Sequence, residues 1–152
     1  MPSYNRNKVL FGETFVAMLQ KEHYVDVPVY GLSMFPFYLP GDTVRVEKAN
    51  PGNLKKGNVI VFTNKRQLVA HRLLKYDAEN GTVLAKGDGL ISKDRLLPEE
   101  NVHGVVIHHF RNGKEKIFIN RKGVKRIIAN ISPYMGRFTF YAGRVWNKFF
   151  SM

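Results

Sequence analysis

Gly31-Leu32-Ser33-Met34-Phe35-Pro36-Phe37-Tyr38-Leu39-Pro40-Gly41-Asp42-Thr43-Val44-Arg45-Val46 is the stretch on which the reading of this chain turns. It follows a short β-rich segment, Asp26 to Tyr30, and passes two prolines and a glycine before apolar and polar residues begin to alternate at Thr43. That punctuation predicts a strand, a turn-rich loop and a second strand with Val44 and Val46 on one face. Ser33 then falls at a strand end, where a hydroxyl can face a cleft. A hydroxyl is a poor nucleophile near neutral pH unless a base takes its proton, and His71 is the base candidate by residue type. Taken singly, a serine in a turn more often satisfies its own backbone, and a histidine in an apolar run is more often packed.

The order of the chemistry-bearing blocks says more than any one of them. Ser33-Met34-Phe35-Pro36 is followed by Gly41-Asp42, Gly57-Asn58-Val59-Ile60-Val61-Phe62, Ala70-His71-Arg72, Lys86-Gly87-Asp88, Asp94-Arg95 and Gly104-Val105-Val106. Over about residues 27 to 110 this order resembles the signal peptidase I-like serine proteases, with Asn58 where that family usually has Asp. His-Arg at 71 and 72, in place of the lysine segment, is similar to the endoplasmic-reticulum signal peptidase subunit and its archaeal relatives. The resemblance implies an antiparallel coiled β-sheet domain of signal peptidase/LexA type. It also implies Ser33 as nucleophile, His71 as general base, Asp94 as the residue that orients the imidazole, and Asp88 in support.

Those roles carry physical requirements of their own. The imidazole has to come within roughly 2.6 to 3.2 Å of the hydroxyl while a carboxylate holds its other nitrogen. Asp88 and Asp94 are both within reach of His71 from the next strand. The plainer alternative has Asp88 capping a turn and Asp94 pairing with Arg95 or Arg72. Acyl transfer also needs a donor for the developing oxyanion, and the Ser33 N–H is the first candidate. Some relatives carry a hydroxyl residue two positions before the nucleophile; this chain has Gly31 there, so that side-chain donor is missing.

At 152 residues, with 44% apolar residues, the chain suits a single packed core. It has no cysteine, which excludes disulfides and thiolate metal sites. The histidines at 23, 71, 103, 108 and 109 form no helical metal-binding pattern, and His108 and His109 would point to opposite faces of a strand. No metal or cofactor is expected.

Residues 7 to 22 place Phe11, Phe15, Met18 and Leu19 on one helical face, which predicts a helix packed on the β core. Strands are expected over Thr43 to Glu47, Asn58 to Thr63, Gln67 to Tyr76, Thr82 to Lys86, Val102 to Phe110 and Lys114 to Ile119. The last two are joined by Arg111-Asn112-Gly113, a hairpin signal. The expected organisation is an N-terminal amphipathic helix over 1–25, a peptidase-like β domain over 26–120 and a basic aromatic tail over 121–152. From Arg111 to Met152 there are ten Lys or Arg and one acid, Glu115, so this segment carries +9 of the net +12.

A helix over Pro133 to Phe150 would align Tyr134, Phe138, Tyr141, Val145 and Phe149, with Arg137, Arg144 and Lys148 beside them. Rings flanked by cations suit an anionic membrane surface; the alternative is a helix packed on the domain with a solvated basic edge. Nucleic acid is a third option without a supporting motif. No window is apolar enough for a bilayer span, and Met1 to Gln20 lacks the core of a signal peptide. The expected location is the cytoplasm, free or attached to the inner membrane face.

The functional expectation is a serine endopeptidase that cleaves a peptide leader or precursor segment. The alternative is a catalytically inactive peptide- or membrane-binding module of the same fold. A LexA-type repressor would need a lysine base and a DNA-binding domain, for which the segment before Asp26 is too short.

Overall fold

The computed structural model describes residues 2–150, so Met1 and the tail residues Ser151 and Met152 lie outside the described residues. Helix α1 (Pro2–Lys21) leads into strands β1 (Tyr24–Pro28), β2 (Thr43–Lys48), β3 (Val59–Asn64), β4 (Gln67–Asp77), β5 (Thr82–Lys86) and β6 (Leu97–Pro98). After a 3-10 turn come β7 (Val102–Arg111), β8 (Lys114–Glu115), the one-turn helix α2 (Ile117–Asn120) and the long helix α3 (Lys122–Phe150). The strands form one antiparallel sheet in the order β1-β2-β7-β3-β4-β5-β6, and β8 pairs with β7.

Strand β3 explains how one sheet supports two cores. Its run Val59-Ile60-Val61-Phe62 is buried throughout. Because successive side chains leave a strand on opposite faces, Val59 and Val61 join the cluster of Phe15, Leu19, Val44, Val46 and Val106, while Ile60 and Phe62 join Leu73, Val83, Ala85 and Val105. A continuous apolar run is therefore the signature of a central strand covered on both sides. Bulges between Arg45 and Val46, Val61 and Phe62, and Leu73 and Lys75 shift the register and bend the sheet.

Helix α1 starts earlier than the apolar spacing predicts, and only half of the expected face is covered. Phe15 and Leu19 are buried, with Val16 against them, whereas Phe11 and Met18 are 42% and 46% exposed. The helix touches the sheet along the line of Gly12, Phe15, Val16 and Leu19, with Gly12 over Leu68, so Phe11 and Met18 lie off that line.

Two further expectations are corrected. The strand expected over Lys114 to Ile119 is paired only at Lys114–Glu115. At Lys116 the backbone turns (φ −94°, ψ 70°) and its N–H donates to the His109 carbonyl at 2.7 Å, which redirects the chain into α2 and tucks Ile119 onto the core. The intervening Asn112-Gly113 pair does turn as its sequence predicts, with φ of 52° and 72°. Nor does the C-terminal helix begin at Pro133, a residue well suited to a helix start; it begins at Lys122 and runs through the proline. Ile128, Ala129 and Ser132, before the proline, are buried, and their packing outweighs its local preference.

Candidate active site

Four segments converge on Ser33: its own loop between β1 and β2, strand β4, the loop that follows β5, and helix α3. The β1–β2 loop is pinned at its base. The Val29 N–H donates to the Asp42 carbonyl at 2.8 Å and the Gly41 N–H to the Val29 carbonyl at 3.1 Å. The buried Asp42 carboxylate then accepts from Arg111 Nε (2.8 Å), Arg111 Nη2 (2.8 Å), His109 Nε2 (2.7 Å) and the Leu39 N–H (2.8 Å). Burial raises the Asp42 pKa, but the Arg111 guanidinium, the Leu39 N–H and His109 reverse this and leave it below the ordinary value. Both ends of the Ser33 loop are thus tied to the sheet through β7.

Strand β4 carries His71 and Arg72. His71 and Arg72 are adjacent, so they leave β4 on opposite faces and each finds its own carboxylate. His71, which is 5% exposed, donates from Nδ1 to Asp94 Oδ2 at 2.6 Å, and its ring meets Phe62 edge-on. A carboxylate accepts here, so Nδ1 is the donor, and in the neutral ring Nε2 carries the lone pair. Arg72 donates from Nε to both oxygens of Asp88 (2.9 and 3.0 Å), from Nη2 to Asp88 Oδ2 (2.6 Å) and from Nη1 to the Gly57 carbonyl (2.8 Å). Of the two carboxylates left open by the sequence, Asp94 is the one on His71, and Asp88 is fully engaged with Arg72.

The loop after β5 brings His71 and Ser33 together through glycines. A Cβ on Gly87 would lie 2.5 Å from the Ser33 carbonyl oxygen and 3.0 Å from His71 Nε2. His71 Nε2 and the backbone of Ser33 therefore flank the same point. Gly89 is as tightly placed: its N–H donates to the Ser33 carbonyl at 2.8 Å, and a Cβ there would collide with the Leu32 carbonyl. No larger residue lets these two loops run so close. Neither the Ser33 hydroxyl nor the Ser33 N–H is hydrogen-bonded to another group among the described residues. The hydroxyl is thus not seated on His71, and the N–H has no partner among the described residues. Hydroxyl-to-base hydrogen bonds of this kind commonly tighten only when substrate is bound.

Helix α3 closes the site, a contribution the sequence did not reveal. Ala129, Ser132, Gly136, Thr139 and Gly143, spaced alternately by three and four residues, form its buried face. At Gly136 a Cβ would lie 2.5 Å from the Leu90 carbonyl, and at Gly143 it would touch the Phe35 ring at 3.4 Å. Thr139 Oγ1 donates to the Asp88 carbonyl at 2.7 Å. The buried Lys86 donates from Nζ to the Gly87 carbonyl (3.0 Å) and to Ser132 Oγ (3.3 Å). Burial lowers the Lys86 pKa, against the opposing charges of Asp88 and Asp94. Near the start of α3, Lys125 Nζ donates to Asn58 Oδ1 at 3.3 Å, so Asn58 serves as a clip for the helix.

Between α3 and the two loops lies a cavity of about 340 Å³ bordered by Leu32, Ser33, Gly89, Leu90, Phe140 and Arg144. Its lining is mostly apolar, with Arg144 as its one charged residue. A larger hollow of about 630 Å³ lies between α1 and the β3–β4 turn, bordered by Arg6, Leu10, Glu13, Lys65 and Arg66, and contains none of the candidate catalytic residues. Among the described residues no group of three or more His, Cys, Asp or Glu is placed to hold a metal ion. No helix among them is long and apolar enough to cross a membrane. Comparison with family models, with curated proteins and with solved structures finds no match to this chain.

Proposed function

We propose that this chain is a serine endopeptidase on a β domain of signal peptidase/LexA type, with Ser33 as nucleophile, His71 as base and Asp94 as the residue that orients the imidazole. The observation that carries the reading is the 2.6 Å hydrogen bond from His71 Nδ1 to Asp94, which makes Nδ1 the donor and leaves Nε2, the lone-pair nitrogen of the neutral ring, beside Gly87 and the Ser33 loop. A base held in that tautomer can take the Ser33 proton and later return it to the leaving amine. The Ser33 N–H serves as an oxyanion donor, and the cavity that Ser33 borders receives a substrate side chain. Asp88 acts at one remove: its ion pair with Arg72 and its carbonyl bond to Thr139 hold the loop that bears Gly87 and Gly89. The substrate class we propose is a peptide leader or precursor segment on the cytoplasmic side.

One observation favours a second reading, a peptide-binding module without catalysis: the Ser33 hydroxyl makes no hydrogen bond to His71. A fluorophosphonate probe, which reacts only with an activated serine, separates the two. Wild-type protein should be labelled, Ser33→Ala should not be, and His71→Ala should be labelled far more slowly while keeping its circular dichroism spectrum. A wild-type protein that is folded but unlabelled, or a Ser33→Ala variant that is labelled equally, would overturn the peptidase reading.

A further inference from the structure

The face of α3 that does not pack is as regular as the face that does. Ile131, Tyr134, Phe138, Tyr141, Val145 and Phe149 follow one another at steps of three or four residues and so form one stripe along the helix. Each is exposed, from 39% at Ile131 to 88% at Tyr134. The stripe lies across the helix from the small-residue face that seats α3 on the loop after β5. Arg126, Arg137, Arg144 and Lys148, separated by 11, 7 and 4 residues, form a basic ridge along one flank. Helix α3 carries six Lys or Arg and no Asp or Glu.

We propose that the outer face of α3 docks on an anionic membrane surface, with the helix lying in the plane of the interface. The composition selects that occupant. Two copies pairing stripe to stripe would bring two acid-free basic helices together, an arrangement opposed by like-charge repulsion. A nucleic acid would need the cations to lead, whereas here the large apolar side chains lead and the cations flank them. In an interfacial position the Tyr and Phe rings enter the acyl boundary while Arg and Lys heads remain among the phosphates. Arg144 belongs both to the ridge and to the rim of the cavity that Ser33 borders, so docking would bring that cavity's mouth close to the lipid headgroups.

The test uses the full-length protein in flotation assays with vesicles of phosphatidylcholine alone or mixed with phosphatidylglycerol. Wild type should float with the mixed vesicles, should not float with phosphatidylcholine alone, and should lose binding as salt rises from about 0.1 to 1 M and the headgroup charge is screened. The exposed-face double variant Phe138→Glu/Val145→Glu should bind at least tenfold more weakly with an unchanged thermal midpoint. Arg137→Gln should be weakened in part. Ser33→Ala should float as wild type does, so failure of the peptidase reading leaves this result intact. Equal flotation of the double variant would overturn the proposal. So would absence of binding to anionic vesicles, whether accompanied by self-association or by DNA binding that the same double variant abolishes.

Discussion

At Asp94 and Asp88, two carboxylates six positions apart carry different duties, and single substitutions should separate them. Asp94→Asn keeps the shape of the side chain but can no longer impose the Nδ1–H tautomer on His71. On the proposed peptidase reading, turnover should fall by about 10³- to 10⁴-fold, the scale known for the equivalent change in a Ser-His-Asp triad, with little change in stability. Initial rates on a cleaved peptide, together with a urea melt, check both halves. Arg72→Met does the reverse. It leaves Asp88 buried without its cation, so stability should drop by about 3–5 kcal/mol in urea denaturation. The order of the motif blocks, rather than side-chain type, singled out Ser33 and His71 as candidates, and the resemblance put Asp94 on the imidazole, whereas the residues alone left Asp88 and Asp94 both open. Both lie in one loop, and only the opposite facing of His71 and Arg72 on β4 decides which carboxylate each meets.

At the level of elements, the site depends on close approaches that larger side chains would prevent. In Gly87→Ala the new Cβ would press on the Ser33 carbonyl at 2.5 Å, and the two loops would have to part. Stability should fall by about 1–3 kcal/mol, with a larger relative loss of fluorophosphonate labelling because the displaced group is the backbone of Ser33, the proposed nucleophile. Gly136→Val applies the same test to α3, whose Cβ position lies 2.5 Å from the Leu90 carbonyl. The helix should lift from the loop after β5, lowering the thermal midpoint and opening the cavity beside Ser33. Retention of the wild-type midpoint in Gly136→Val would show that α3 does not lean on that loop. The aromatic stripe was visible in the sequence because large residues at helical spacing stand out. The packing stripe was not: small residues give no hydrophobic signal, and their value appears only when another backbone comes near.

For the whole molecule, buried and half-buried titratable groups set a dependence of stability on pH. His109 is fully buried, and burial lowers its pKa from the ordinary 6.5 despite the opposing Asp42 carboxylate. His103 is lowered by burial as well. A lowered histidine binds its proton less readily folded than unfolded, so its contribution is complete above about pH 6.5 and is lost as the pH falls below that value. Asp42, with its pKa below 3.8 in the fold, adds a loss of the same sign at more acidic pH. The urea midpoint should therefore decline from about pH 7.5 to pH 5, and His109→Gln should flatten that decline. A midpoint that is constant or rises toward pH 5 would contradict this account.

What the sequence by itself determined is a mainly antiparallel β architecture with a helix before and after it, and the order of its strands along the chain. Alternation at Thr43–Lys48, the doubly apolar run at Val59–Phe62 and the Asn112-Gly113 turn are local patterns, and local patterns follow from side-chain period and turn chemistry. What only the tertiary structure decided is which distant residues meet: Asp94 on His71, Asp88 on Arg72, Asp42 on Arg111 and His109, and the small face of α3 on the loop beside Ser33. The physical reason is that these contacts are set by register, by the facing of adjacent residues and by how closely two backbones can approach. None of those quantities is a property of any single stretch of chain.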